Sequence, residues 1–175
     1  MRHLPICLPT VARLMFLVGG FAELRADEEL LLIHQGDLPI DIHGQRTSAE
    51  TAYRGTSNGL TVTGLRQRSG ETAHTSPESL LGILKRHHWT VDPDPFEGKE
   101  QSGFTGGHIV RTYGSHRADG IDAIQLELGS NYRKPSERKR VAAELADSIV
   151  EFAVKFLELK TAAHSARESA GDVFR

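Results

Sequence analysis

The sequence of 175 residues lacks the features from which several common kinds of site are built. Its one cysteine, Cys7, excludes an intramolecular disulfide and a metal site made of several cysteines. The formal net charge of -2 gives no strong field that would recruit nucleic acid, and no apolar run reaches the roughly 20 residues of a membrane-spanning helix. We therefore expect no nucleic-acid partner and no permanent membrane anchor.

What the chain does contain is typical of a globular protein. Hydrophobic residues make up 38% and charged residues 25%, which suits a single domain with a sizeable core. Histidine, which occurs nine times, is the abundant metal-binding residue type. The basic run "RKPSERKR", residues 133–140, is typical of a solvated helix start, with Ser136 as the residue that caps the helix.

Residues 1–26 resemble a secretory signal peptide, with Arg2 near the start, an apolar stretch over residues 14–21 and a small residue, Ala26, at the end. An ordinary buried segment is the alternative. The signal-peptide interpretation predicts an exported protein, periplasmic or extracellular. One domain then covers residues 27–160, and a polar tail covers residues 161–175.

Segments with strand patterns alternate with segments with helix patterns, which predicts an α/β domain with a mainly parallel sheet flanked by helices. Strands are predicted at "LPIDIHG", "GLTVTGL", "WTV" and "GIDAIQLELG", the last suited to burial on both faces. Helices are predicted over residues 77–88, capped by Ser76, and over residues 137–160, where apolar residues recur with helical spacing. Two helices are few for a domain that covers both faces of a parallel sheet.

Two polar residues stand at the ends of predicted strands, His43 and Glu127. Ligands bind outside the carboxyl ends of the strands in an open α/β sheet, so both residues are candidates for a site. A buried glutamate needs a partner. That partner is either an arginine, Arg111 or Arg133, or a zinc-bound water whose proton the carboxylate takes while His43 binds the metal. The alternatives at the first strand are a half-buried His43 bonded to backbone and Asp41 as a turn or cap residue.

The segments "IDIHGQ", "RGTSNGLTV" and "GGHIVRTYGSHRADGIDAIQLELGSNYR", together with the closing amphipathic helix, carry a family resemblance over residues 37–157. They resemble the C-terminal half of the N-formylglutamate amidohydrolase-like family, whose fold is similar to that of the zinc-dependent carboxypeptidases. The resemblance implies a zinc amidohydrolase that cleaves an amide next to a carboxylate, in a small acidic N-acyl amino acid or peptide. It also implies that His43 is a zinc ligand, Glu127 the catalytic carboxylate and Arg111 the substrate-binding residue.

The chain departs from the family pattern in its metal ligands. Family members carry an early segment, similar to "PHGG", that supplies the first ligands, whereas here "EELLLIHQGDLPI" runs directly into "DIHGQ". We interpret this as an internal deletion that leaves the zinc-exopeptidase-like fold incomplete. Catalytic zinc usually needs three protein ligands, and the candidate substitutes are His74, His87, His88, His108 and His116. We expect little or no turnover, and the alternative is a non-catalytic domain that binds carboxylates through Arg111 and Arg133.

Overall fold

A computed structural model describes Phe16–Val18 and residues 38–157 of the protein. In chain order the elements are strands β1 (Phe16–Val18), β2 (Ile40–Gly44) and β3 (Thr51–Gly55), helices α1 (Thr63–Ser69) and α2 (Leu80–Arg86), strand β4 (Thr90–Asp92), helix α3 (His108–Tyr113), strand β5 (Ile124–Leu128) and helix α4 (Arg138–Phe156). Apart from β1, the predicted signal peptide lies outside the described residues, as do residues 158–160 of the predicted last helix and the polar tail.

The five strands form one mixed sheet in the order β1-β2-β5-β3-β4. Neighbouring strands are parallel except for β3 and β5, which are antiparallel. The α/β class is confirmed, whereas the prediction of a mainly parallel sheet is wrong. The reason is the short connection over residues 45–50. A strand that returns in the same direction needs a crossover of about a dozen residues or more, so β3 runs opposite to β2.

One face of the sheet carries the hydrophobic core. The strand residues buried there are Ile40, Ile42, Ala52, Ile124, Leu126 and Leu128. They belong to one cluster with the buried residues of α2 and α4, which are Leu80, Leu81, Ile83, Leu84, Val141, Leu145, Ile149, Phe152 and Ala153. Side chains alternate along a strand, so the residues between the apolar ones face the other side of the sheet. Strand β5 therefore has one apolar and one polar face, and both are largely buried, as predicted, since Gln125 on the polar face is buried and Glu127 is partly buried.

The segment "GLTVTGL", predicted as a strand, forms a 3₁₀ turn over Leu60–Val62 followed by α1. Tertiary contacts override the strand preference of its β-branched residues. The Asp122 carboxylate accepts a hydrogen bond from the backbone N–H of Leu65 (2.9 Å), and the Ser115 hydroxyl accepts one from that of Gly64 (2.9 Å). These oxygens satisfy backbone donors that the first turn of a helix leaves unpaired.

The ends of the two predicted helices also differ from the predictions, although both helices are confirmed. Helix α2 is capped by Ser79, whose hydroxyl accepts a hydrogen bond from the N–H of Gly82 (3.2 Å), and not by Ser76. Helix α4 begins directly after Glu137, so Ser136 lies one residue too early to cap it. None of the described helices is long and apolar enough to cross a membrane.

Candidate functional site

Polar side chains occupy the second face of the sheet where β2 and β5 lie side by side. In the register of these parallel strands Asp41 pairs with Gln125, and His43 pairs with Glu127. All of them alternate with the buried apolar residues of their strands, so they lie on the face opposite the core. The pair of His43 and Glu127 is nearer the carboxyl ends, where ligands bind in open α/β sheets. The structure thus brings together two of the three predicted site residues.

Asp41 holds the imidazole of His43 in place. Its Oδ1 lies 2.8 Å from Nε2 of His43, and its Oδ2 accepts a hydrogen bond from Nε2 of Gln125 at 3.3 Å. Asp41 is 2% exposed, whereas the side chain of His43 is 39% exposed. A buried carboxylate at Nε2 favours the proton on that nitrogen and leaves Nδ1 as the available ring nitrogen. The alternatives, a histidine bonded to backbone and Asp41 as a turn or cap residue, are therefore wrong.

Glu127 lies beside His43, near the carboxyl end of β5. Within residues 38–157 no hydrogen bond or ion pair reaches its carboxylate, so the pair with Arg111 or Arg133, one of the two predicted alternatives, is not formed. Burial raises the pKa of Glu127 above its ordinary value. The charge of His43 opposes this rise, that of Asp41 adds to it, and that of Arg133 opposes it. A carboxyl group with a raised pKa is suited to general acid–base catalysis, because it exchanges its proton nearer neutral pH.

The two arginines have different roles in the structure. Arg133 is half-buried and donates from Nε to the carbonyl oxygen of Leu128 (3.2 Å) and from Nη2 to that of Gln45 (2.9 Å). Its guanidinium therefore ties together the carboxyl ends of β5 and β2. Arg111 is exposed on α3 and donates from Nη2 to Oγ1 of Thr105 at 2.8 Å. Of the two predicted carboxylate-binding residues, only Arg111 keeps most of its guanidinium open to a ligand.

The loop that leads into α3 covers part of the polar face. Phe104 stacks on Tyr53 with ring centroids 4.0 Å apart, and Tyr53 is the register partner of Glu127 in β3. The loop also touches the end of β3, where a Cβ on Gly55 would lie only 2.4 Å from the backbone nitrogen of Gly106. The loop buries Tyr53, whereas Glu127, which pairs with it on the neighbouring strand β5, is only partly buried. The site is therefore bounded on the β3 side by an aromatic stack.

The described residues do not complete a zinc site around His43. Within residues 38–157 no group of three or more His, Cys, Asp or Glu side chains could hold a metal ion. His74 is unsuitable for another reason, because burial and the charges of Arg54 and Arg66 lower its pKa to about 4 and any metal would be a further cation there. In the described part of the chain, none of the predicted substitutes joins His43 in such a group; they are His74, His87, His88, His108 and His116.

The sequence interpretation missed the contributions of Asp41, Gln125, Tyr53 and Phe104 to this site. A signal for Asp41 and Gln125 is present, because "IDIHG" and "IQLEL" alternate apolar and polar residues and so place each of them on the face of the site residue two positions later. No local signal exists for Tyr53 and Phe104. Their contact depends on a loop that follows the strand much later in the chain.

No family model matches this chain, and no match is found among the curated proteins or among the solved structures compared with it.

Proposed function

We propose that the pair of His43 and Glu127 is the centre of a zinc-dependent amidohydrolase of the N-formylglutamate amidohydrolase-like kind, with little turnover in this chain. The observation that supports this most is the register pairing of the two residues, with Asp41 behind His43. Hydrolases commonly combine a histidine oriented by a carboxylate with a second carboxylate that moves a proton. This is the combination that the polar face of the sheet holds.

Glu127 is the proposed proton carrier. Its carboxyl group is partly buried, has a raised pKa and makes no hydrogen bond or ion pair within residues 38–157. Such a group takes a proton from the attacking water and delivers it to the leaving amine during amide hydrolysis. The partial exposure of the neighbouring His43 leaves room for water and substrate beside it.

His43 is the proposed zinc ligand. Asp41 supplies the outer carboxylate that metal-binding histidines usually have, and Nδ1 of His43 has no hydrogen-bond partner among the described residues. Catalytic zinc usually takes three protein ligands and a water, however, and the described part of the chain holds no group of that size. These residues do not fit a complete catalytic zinc centre, which is the physical reason for the weak turnover that we propose.

Arg111 is the proposed binding residue for the substrate carboxylate. Thr105, which holds its guanidinium, follows Phe104 in the loop over the polar face. Phe104 in turn stacks on Tyr53, which is the register partner of Glu127 in the sheet. A guanidinium binds a carboxylate through two parallel hydrogen bonds, so this position suits a small acidic N-acyl amino acid or peptide.

A non-catalytic domain that binds carboxylates is the second candidate function. The absence of a group of three or more metal-binding side chains within residues 38–157 favours it. Arg111 rather than Arg133 would bind the anion, because Arg133 uses two of its donors on backbone carbonyl oxygens. This candidate differs from the first in requiring neither zinc nor the carboxyl group of Glu127.

Zinc content tests the metal part of the proposal. The full chain is purified without chelator, and zinc per chain is measured for the wild type, for His43→Asn and for a matched control, His108→Asn, which changes an exposed histidine on α3. Because the described residues supply fewer ligands than a catalytic zinc centre needs, we expect well under one zinc per chain in the wild type and in the control, and most of that lost in His43→Asn. Equal zinc in all three proteins, or zinc in none of them, would contradict His43 as a ligand.

Hydrolysis of N-acylglutamate analogues separates the two candidates. If the first is correct, Glu127→Gln lowers kcat by roughly 100-fold or more, because the proton carrier is lost. Arg111→Lys mainly raises KM, because a bidentate contact is lost. Carboxylate binding that depends on Arg111, without hydrolysis and without any effect of chelator, would establish the second candidate instead.

A further inference from the structure

The turn that follows β3 closes around the carboxylate of Glu100. Oε1 of Glu100 accepts hydrogen bonds from the backbone N–H and the hydroxyl of Thr56, the former at 2.7 Å, and from Nε of Arg54 at 3.1 Å. Oε2 accepts one from the backbone N–H of Asn58 at 2.9 Å. The contact is reciprocal, because the N–H of Glu100 donates to Oδ1 of Asn58 at 2.9 Å. We call these donors, from residues 54–58, the carboxylate cradle.

Contacts that do not involve Glu100 maintain the shape of the carboxylate cradle. Ser57 and Asn58 have left-handed backbone conformations, with φ of 50° and 54°. With this backbone the N–H groups of Thr56 and Asn58 both point to the carboxylate, while the N–H of Ser57, between them, donates to the carbonyl oxygen of Thr105 (2.7 Å). The guanidinium of Arg54 is anchored from behind, since Nη1 donates to the carbonyl oxygen of His74 (2.6 Å) and Nη2 to that of Gly98 (3.0 Å).

Burial makes the carboxylate cradle selective for an anion. Arg54 is 1% exposed and Glu100 is 4% exposed, so an empty cradle would leave a buried guanidinium without its counter-charge. Burial already lowers the pKa of Arg54, although the charge of Glu100 raises it. Asn58, in contrast, is an exposed residue at the edge of the cradle. The donors converge on two oxygens and therefore suit a planar carboxylate.

We propose that the carboxylate cradle is a binding site for one small carboxylate anion, which Glu100 occupies from within the chain. The bonds to Glu100 thereby hold the beginning of the loop that follows it against the end of β3. Phe104 and Thr105 are only a few residues further along, and they cover Tyr53 and hold Arg111. Occupancy of the cradle thus stabilises the cover of the polar face. This inference does not depend on any catalytic activity of that face.

Removal of the internal carboxylate tests the inference. Glu100→Ala deletes the atoms that acetate can replace, so acetate should raise the Tm of this variant by roughly 3 °C or more relative to chloride at equal ionic strength. The matched control is Glu97→Ala, which removes an exposed glutamate from the same loop. The wild type and the control should show no specific effect of acetate. Neither should Glu100→Gln, whose side chain still fills the cradle.

Hydrogen exchange provides a second measurement. In Glu100→Ala the backbone amides of residues 100–107 should exchange faster than in the wild type, and acetate should slow them again. If Glu100→Ala does not fold in chloride, acetate should restore its folded circular-dichroism spectrum. Acetate that does no more than chloride in both measurements, or that stabilises Glu100→Gln equally, would overturn the inference.

Discussion

Burial and charge act in opposite directions on the carboxyl group of Glu127. Partial removal from water raises its pKa, while the neighbouring His43 lowers it. Burial dominates, so the folded protein retains this proton at a higher pH than the unfolded chain does. The stability that follows is present at low pH and is lost as the pH rises through the interval between the two pKa values.

Above that interval the wild type holds a partly buried charged carboxylate, which lowers its stability. We therefore expect Glu127→Gln, whose side chain is uncharged, to remove this destabilisation. Relative to the wild type, the Tm of the variant should increase by roughly 1–3 °C between about pH 4 and about pH 7. Thermal unfolding at both pH values measures this. Glu78→Gln, at an exposed position before α2, is the matched control and should show no such trend. An equal trend in both variants would mean that the carboxyl group of Glu127 is not perturbed by burial.

Helix α4 illustrates how one element can have an energetically important face and an unimportant one. Phe152 is 0% exposed in the core beneath the sheet, and its ring lies 5.0 Å from that of Phe156. Val154, two residues later, is 63% exposed. Both are apolar residues of the same helix, so the difference in burial alone distinguishes them. The helical spacing of apolar residues in the sequence predicts the buried face but does not explain why Val154 is apolar.

Substitutions on the two faces of α4 should differ in free energy of unfolding. Phe152→Ala should cost about 3–5 kcal/mol, because it removes buried apolar surface and leaves a cavity. Val154→Ala should change stability by less than about 0.5 kcal/mol, because the side chain is already largely in water. Urea denaturation monitored by circular dichroism measures both, with the exposed site as control. A similar cost for both variants would show that α4 packs with another face.

At the scale of the whole molecule, Asp122 connects parts of the chain that are distant in sequence. Its Oδ1 accepts hydrogen bonds from the N–H of Leu65 (2.9 Å) and the hydroxyl of Ser115 (2.6 Å), and its Oδ2 accepts one from Nη2 of Arg68 (2.6 Å). Asp122 is buried just before β5, so the first turn of α1 and the loop after α3 are joined to the amino end of that strand. Glu127 lies near the opposite end of the same strand.

Removal of this connection should lower the stability of the fold as a whole. Asp122→Ala leaves a buried backbone donor unpaired and should cost about 1–3 kcal/mol. The control is Asp119→Ala, at an exposed position in the same loop, which should cost less than about 0.5 kcal/mol. Differential scanning calorimetry measures both. We expect one cooperative transition at a lower Tm for Asp122→Ala, and equal Tm values for the two variants would contradict this role.

Some features of the candidate site follow from the local sequence pattern, and others depend on contacts between distant parts of the chain. His43 and Glu127 were predictable, because each is a polar residue near the carboxyl end of an apolar strand. Their adjacency depends on the pairing of β2 with β5, which brings together residues from distant parts of the chain. That neither Arg111 nor Arg133 pairs with Glu127 was not predictable, since Arg133 binds backbone carbonyl oxygens and Arg111 binds Thr105.

The sequence by itself determined the α/β class, strands β2, β4 and β5, and the two helices α2 and α4. Hydrophobic periodicity is a pattern among neighbouring residues, so it can be recognised in the sequence without knowledge of the fold. Only the tertiary structure decided the antiparallel direction of β3, the helix α1 in a segment with strand propensity, and the bond between Asp41 and His43. Strand direction, helix caps and buried polar bonds depend on which distant groups meet when the chain closes.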